Sequence, residues 1–148
     1  MIFDEPFRKS YNYCNKSSQR IVDKGGHPYI LHPLAVMMNV ETNIEKIVTV
    51  LHDVLEDTEL TLNDLESEGF GYDVLIPLGI LTKGKGVSYD DYIKQIAKNN
   101  VARNVKIQDI RNNMDLSRIE NLSKRDFERN KKYKKALHFL INSYLKDN

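Results

Sequence analysis

The chain has 148 residues, 41% hydrophobic and 29% charged, with a formal net charge of +1 at pH 7. That length suits one domain, residues 1–148, and that composition excludes a disordered chain. The single cysteine, Cys14, excludes an intrachain disulfide, and no apolar run has signal-peptide or membrane-span length, so a cytoplasmic protein is expected.

Helical spacing recurs along the chain, and no stretch alternates as a half-buried strand does. Residues 3–23 predict a first helix, ended by "KGGHP" at 24–28. Pro33 suits the first turn of a short helix to about Val40. Thr42 or Asn43 can cap the next helix, whose Ile44, Ile47, Val48, Leu51, Val54 and Leu55 keep a 3.6-residue period to Asp57. Thr61 is placed to cap a short helix ending near Gly69 or Gly71, and 72–82 is apolar enough for a buried helix. "KGKGVS" at 83–88 is a loop, and Ser88 caps a helix to about Lys98. Two more helices are expected, over 100–115 and over 124–145. The last is basic, with an apolar side of Phe127, Leu137, Leu140, Ile141 and Tyr144. The expected fold is a compact all-α bundle.

Charge is unevenly spread. Glu41 to Asp73 holds ten acids and one base, Lys46, whereas Arg103 to Lys135 holds eleven bases and five acids. Solvated helix faces account for this as readily as an acidic metal-binding half facing a basic half that draws in an anion. The small net charge gives no reason to expect nucleic acid as a partner.

"LHDVLEDT" at 51–58 puts one His and three acids into a helix that otherwise reads as buried. His52 and Glu56 are four apart, as are Asp53 and Asp57, and both pairs flank the apolar stripe of Leu51 and Leu55. Carboxylates at a core boundary are costly unless cations compensate them. His32 lies in the apolar stretch "PYILHPL", and Asp109 continues the line of Val101 and Val105 at four-residue spacing. Two imidazoles and two carboxylates suit a divalent transition metal, Mn²⁺, Fe²⁺ or Zn²⁺ rather than Ca²⁺. Each signal also has a plain structural reading as a satisfied core residue.

The ordered set "GGHPYILHP" (25–33), "VLHDVLEDT" (50–58), "ILTKGKG" (80–86) and "VKIQDIRNNMD" (105–115) resembles the HD-domain (p)ppGpp hydrolases of the RelA/SpoT type, over roughly residues 17–116. The resemblance implies an all-helical HD domain with a Mn²⁺ ion held by His32, His52, Asp53 and Asp109. It implies that Glu56 and Asp57 orient and activate the attacking water. It further implies that Lys24 and Asn113 contact a small nucleotide substrate. Two positions depart from the family: Asp23 stands where an Arg usually precedes the Lys, and Ile110 where an Arg follows the last metal Asp. Both would border the nucleotide, and neither is a metal ligand. The implied reaction is attack of a metal-activated water on the 3′-diphosphate, giving GDP or GTP and pyrophosphate, with Lys24, Lys83 and Lys85 as candidates to offset phosphoryl charge. The alternatives are an HD phosphohydrolase for another nucleotide, such as a dNTP or nucleoside monophosphate, and a non-catalytic nucleotide-binding module.

Overall fold

A computed structural model describes residues 5–6, 8–10, 12, 31–119 and 121–147. In chain order it contains α1 (Leu31–Asn39), α2 (Asn43–Asp57), α3 (Leu62–Ser67), α4 (Tyr72–Leu81), α5 (Tyr89–Ala97), α6 (Asn100–Asn113), a 3-10 turn (Leu116–Arg118) and α7 (Lys124–Asp147). No strand occurs among the described residues, as the all-α expectation requires. Residues 5–6, 8–10 and 12 are helical, in line with the expected first helix; its remainder to residue 23, with Asp23 and Lys24, lies outside the described residues. Among the described residues no helix is long and apolar enough to cross a membrane.

Local chemistry sets the helix starts. The Thr42 hydroxyl accepts from the Glu45 N–H at 3.1 Å, and the Ser88 hydroxyl from the Asp91 N–H at 3.1 Å. Thr61 and Asp64 form a reciprocal capping box, Asp64 N–H to Thr61 Oγ1 at 3.2 Å and Thr61 N–H to Asp64 Oδ2 at 2.8 Å. After α3, Gly69 takes φ +97° while Phe70 N–H bonds back to Leu65 O and Gly69 N–H to Glu66 O. That is a Schellman closure, and it ends α3 at Ser67. The helix around Pro33 already includes Leu31, two residues before the expected start.

α6 is the hub of the bundle, packing against α1, α2, α4, α5 and α7. Val48, Leu51, Leu65, Leu78, Leu81, Ile96, Ala102, Ile110 and Leu140 are all fully buried between these helices. Each large apolar side chain so buried contributes roughly 1.5–3 kcal/mol. On α2, Val48, Val50, Leu51 and Val54 are buried, and His52 and Asp53 are buried beside them. α4 buries Val74, Leu75, Leu78 and Leu81 but leaves Tyr72 and Ile76 exposed, so it is covered on one side only.

The last helix corrects one expectation. Ala136 and Leu140 are buried, with Tyr133, Leu137 and Ile141 packed beside them, but Phe127 is 52% exposed and Tyr144 43% exposed. Asp126 occupies the buried position of the first turn instead, where its carboxylate accepts from Ser123 N–H at 3.0 Å and pairs with Arg129 at 2.9 Å. Capping the helix takes precedence there over burying the neighbouring phenyl ring.

Candidate active site

Three helices bring the polar residues of the core together. α1 supplies His32 from its first turn. α2 supplies His52, Asp53 and Glu56, and α6 supplies Lys106, Asp109, Asn112 and Asn113. His32 Nδ1–H donates to Asn112 Oδ1 at 2.6 Å, which turns Nε2 toward Asp109 Oδ1, 2.8 Å away. The other oxygen of Asp109, Oδ2, accepts from Lys106 Nζ at 2.9 Å, and the Asn113 amide reaches Oδ1 at 3.3 Å. On α2, His52 Nδ1 lies 3.8 Å from Asp53 Oδ1. His52 Nε2 lies 3.1 Å from Glu56 Oε1, an ion-pair distance, but out of line for a well-formed hydrogen bond. His32, His52, Asp53 and Asp109 line one enclosed space of about 10 Å³, the scale of a single water or ion.

The electrostatics follow from burial and pairing. For His32, burial disfavours charge, yet the hydrogen bond and negative charge of Asp109 outweigh it and raise its pKa to about 9. Burial pushes Asp53 up to about 6 against the pull of the two histidines. Burial opposes ionisation of Asp109 too, but the Lys106 ammonium and His32 hold its carboxyl well below the usual carboxylate range. Glu56, half-exposed, is lowered: partial burial works against its charge and the neighbouring His52 wins. His52 is raised, because Glu56 and Asp53 outweigh its complete burial.

The residues fit a divalent cation by composition. His52 Nε2 is buried with no well-formed hydrogen bond among the described residues, and as a deprotonated nitrogen it could coordinate a cation. Asp53 and Asp109 are buried carboxylates on either side, and Asn112 orients the His32 ring as a metal-bound imidazole requires. As they stand, His32 and Asp109 satisfy each other, and among the described residues no three His, Cys, Asp or Glu side chains are posed to ligate an ion together. Binding would therefore exchange the His32–Asp109 contact for contacts to the ion.

Of the residues expected at the site, the structure gathers His32, His52, Asp53 and Asp109, with Glu56 and Asn113 at their edge. Asp57 is exposed at the end of α2. Lys24 lies outside the described residues. Ile110 is fully buried in the core, and Arg111 is exposed, lining a separate cleft of about 310 Å³ with Glu45, Asn104, Gln108 and Tyr144. Sequence reasoning missed Lys106. The signal was present: a lysine three residues before a buried acid on one helix can supply the cation that the acid needs.

No protein-family profile matches the chain. The chain is 34% identical over 74 residues to a guanosine-3′,5′-bis(diphosphate) 3′-pyrophosphohydrolase of Vibrio cholerae, covering 47% of this chain and 10% of that protein. It is also 34% identical over 71 residues to the Aquifex aeolicus protein of the same description, covering 45% of this chain and 10% of that protein. A GTP pyrophosphokinase of Myxococcus xanthus is 39% identical over 71 residues, covering 45% of this chain and 9% of that protein. The chain thus spans about a tenth of the length of the curated relatives it matches. A solved structure of a metazoan ortholog of SpoT, described as hydrolysing ppGpp and playing a role in starvation responses, superposes with a TM-score of 0.78 at 20% identity, over 95% of this chain and 87% of that one. The fold is that of the metazoan SpoT ortholog. The sequence relatives cover under half of the chain, and the likeness to the metazoan SpoT ortholog extends the shared fold over 95% of it.

Proposed function

We propose that the chain is a metal-dependent (p)ppGpp hydrolase of the SpoT type, a single cytoplasmic domain over residues 1–148 acting on a small nucleotide. The observation that carries this reading is the meeting of His32, His52, Asp53 and Asp109, from three helices, beside the half-exposed carboxylate of Glu56. Those four would hold the ion; their mixed nitrogen and oxygen donors suit Mn²⁺, Fe²⁺ or Zn²⁺, and the resemblance to the RelA/SpoT-type hydrolases selects Mn²⁺ among them. Bound there, a divalent ion lowers the pKa of water and offsets phosphoryl charge.

The chain's own residues do the rest. Glu56 is ionised at neutral pH and reaches solvent, so it can accept the proton of the attacking water and aim its oxygen. That oxygen attacks the phosphorus bonded to the ribose 3′-oxygen. The bond from phosphorus to the 3′-oxygen breaks, pyrophosphate leaves with the water's oxygen, and a proton returns to the 3′-oxygen of GDP or GTP. Asp57, one residue on, is the second candidate for guiding the water. Asn113, tied to Asp109, and Lys24 are the proposed nucleotide contacts.

The test is incubation with ppGpp and Mn²⁺, Mg²⁺ or Zn²⁺, followed by chromatography of the products and metal analysis of the protein. GDP and pyrophosphate in equal amounts are expected, fastest with Mn²⁺. Untouched ppGpp, with triphosphate released from dNTPs or single phosphate from nucleoside monophosphates, overturns the substrate assignment.

A further inference from the structure

α5 carries two tyrosines, Tyr89 and Tyr92, whose hydroxyls are treated differently by the fold. The Tyr92 hydroxyl is buried and donates to the Leu81 carbonyl at 2.5 Å. The Tyr89 hydroxyl oxygen is also buried, and among the described residues no group accepts from it. Native structures rarely leave a buried hydroxyl without a partner. The ring itself is held firmly. It packs on Tyr92 with centroids 6.0 Å apart, and the Lys132 ammonium of α7 sits 3.9 Å from its centroid.

This arrangement leads to the candidate active site. Lys106 Nζ lies 5.3 Å from the Tyr92 ring centroid and bonds Asp109 at 2.9 Å. Lys132, Tyr89, Tyr92, Lys106 and Asp109 therefore form a continuous row from the α7 face to the putting-together of His32 with Asp109. Burial pushes the Tyr89 hydroxyl up to about 12, so it keeps its proton at physiological pH and has a hydrogen bond to donate. With the Lys132 ammonium over its ring and the positive charge of Lys106 near enough to act on it, this donor suits an anionic oxygen better than a neutral acceptor.

We infer that the Tyr89 hydroxyl donates a hydrogen bond to a phosphoryl oxygen of the substrate, with Lys132 adding positive charge beside it. This rests on the hydrolase reading above, which supplies the anion. Tyr89 is thereby a substrate-binding residue that no sequence motif marks.

Tyr89→Phe tests it, because the ring, its stacking and the Lys132 contact survive and only the hydroxyl goes. The expected result is a loss of roughly 10-fold or more in kcat/KM for ppGpp, with metal content unchanged and Tm unchanged or higher. Full activity with a raised Tm overturns the inference, since the hydroxyl is then a packing defect. A fall in both Tm and activity overturns it too, since the hydroxyl then serves the fold. If the wild-type protein leaves ppGpp intact, the hydrolase reading fails separately, and calorimetric titration with ppGpp and Mn²⁺ decides the matter for Tyr89. Binding about 10-fold weaker in Tyr89→Phe supports the contact, and equal affinity, or no binding by either protein, removes it.

Discussion

His32 Nε2 and Asp109 Oδ1 stand 2.8 Å apart although 77 positions separate them in the chain. The contact joins the first turn of α1 to the last third of α6 and draws α2, between them, into the same site. In the proposed hydrolase it is also the contact that a metal ion would replace, which would couple the protonation of His32 to the uptake of metal.

Between about pH 6.5 and 9 the metal-free protein loses stability. His32 has its pKa raised from 6.5 to about 9 in the fold. A raised folded pKa stabilises fully below the unfolded value, and that contribution disappears as pH climbs through the folded one. Thermal melts of metal-stripped protein across this window check it, and His32→Asn should flatten the slope. Over the same window metal affinity rises and calorimetry in buffers of different ionisation enthalpy registers proton release. A metal affinity independent of pH contradicts the coupling.

Lys106→Met keeps the side-chain bulk and removes the ammonium from Asp109 Oδ2. Breaking a buried ion pair costs up to about 3–5 kcal/mol, and the remaining contacts of Asp109 to His32 and Asn113 place the expected loss at or below the lower end of that range. The melting temperature of the metal-free variant should drop accordingly, and added Mn²⁺ should recover part of it by giving Asp109 another cation. A variant as stable as the parent places the Asp109 carboxylate in better contact with water than its burial implies.

Glu56→Gln should keep the bound metal and slow turnover by roughly 10²–10⁴-fold, the usual contribution of a general base. Asp53→Ala should abolish metal retention and turnover together. Metal content by mass spectrometry alongside initial rates separates the two roles, and an unchanged rate in Glu56→Gln assigns the proton to another acceptor.

Ser88→Ala removes the hydroxyl that accepts from Asp91 N–H at the start of α5. The expected loss is about 1 kcal/mol, read by urea denaturation. Because Tyr89 is the next residue, KM for ppGpp should rise as well if its hydroxyl meets substrate.

The caps on Thr42, Thr61 and Ser88 were legible because each depends on residues three or fewer positions away. The periodicity of α2 was equally legible, since the apolar stripe and the helix share one repeat. The His32–Asp109 meeting was not derivable from spacing. It needed either the family resemblance or the fold, as nothing local in "PYILHPL" refers to "VKIQD". Lys106 escaped notice because lysine on a charged, basic half reads as solvated, and only the packing of α6 against five neighbours buries it. Phe127 was misplaced for the opposite reason: apolar type suggested the inner face, while the turn geometry of Ser123 and Asp126 set the rotation of α7.

One other feature of α6 bears on how firmly Asp109 is held. Arg103 is 1% exposed, and its guanidinium reaches Asp147 at 2.6 Å, Asn100 at 2.9 Å and the Ala97 carbonyl at 3.3 Å. The helix that presents Asp109 is therefore fastened, from its opposite end, by the final turn of α7. Replacing Asp147 by Ala would leave the buried Arg103 charge with neutral partners alone, and would loosen from a distance the helix that carries Asp109.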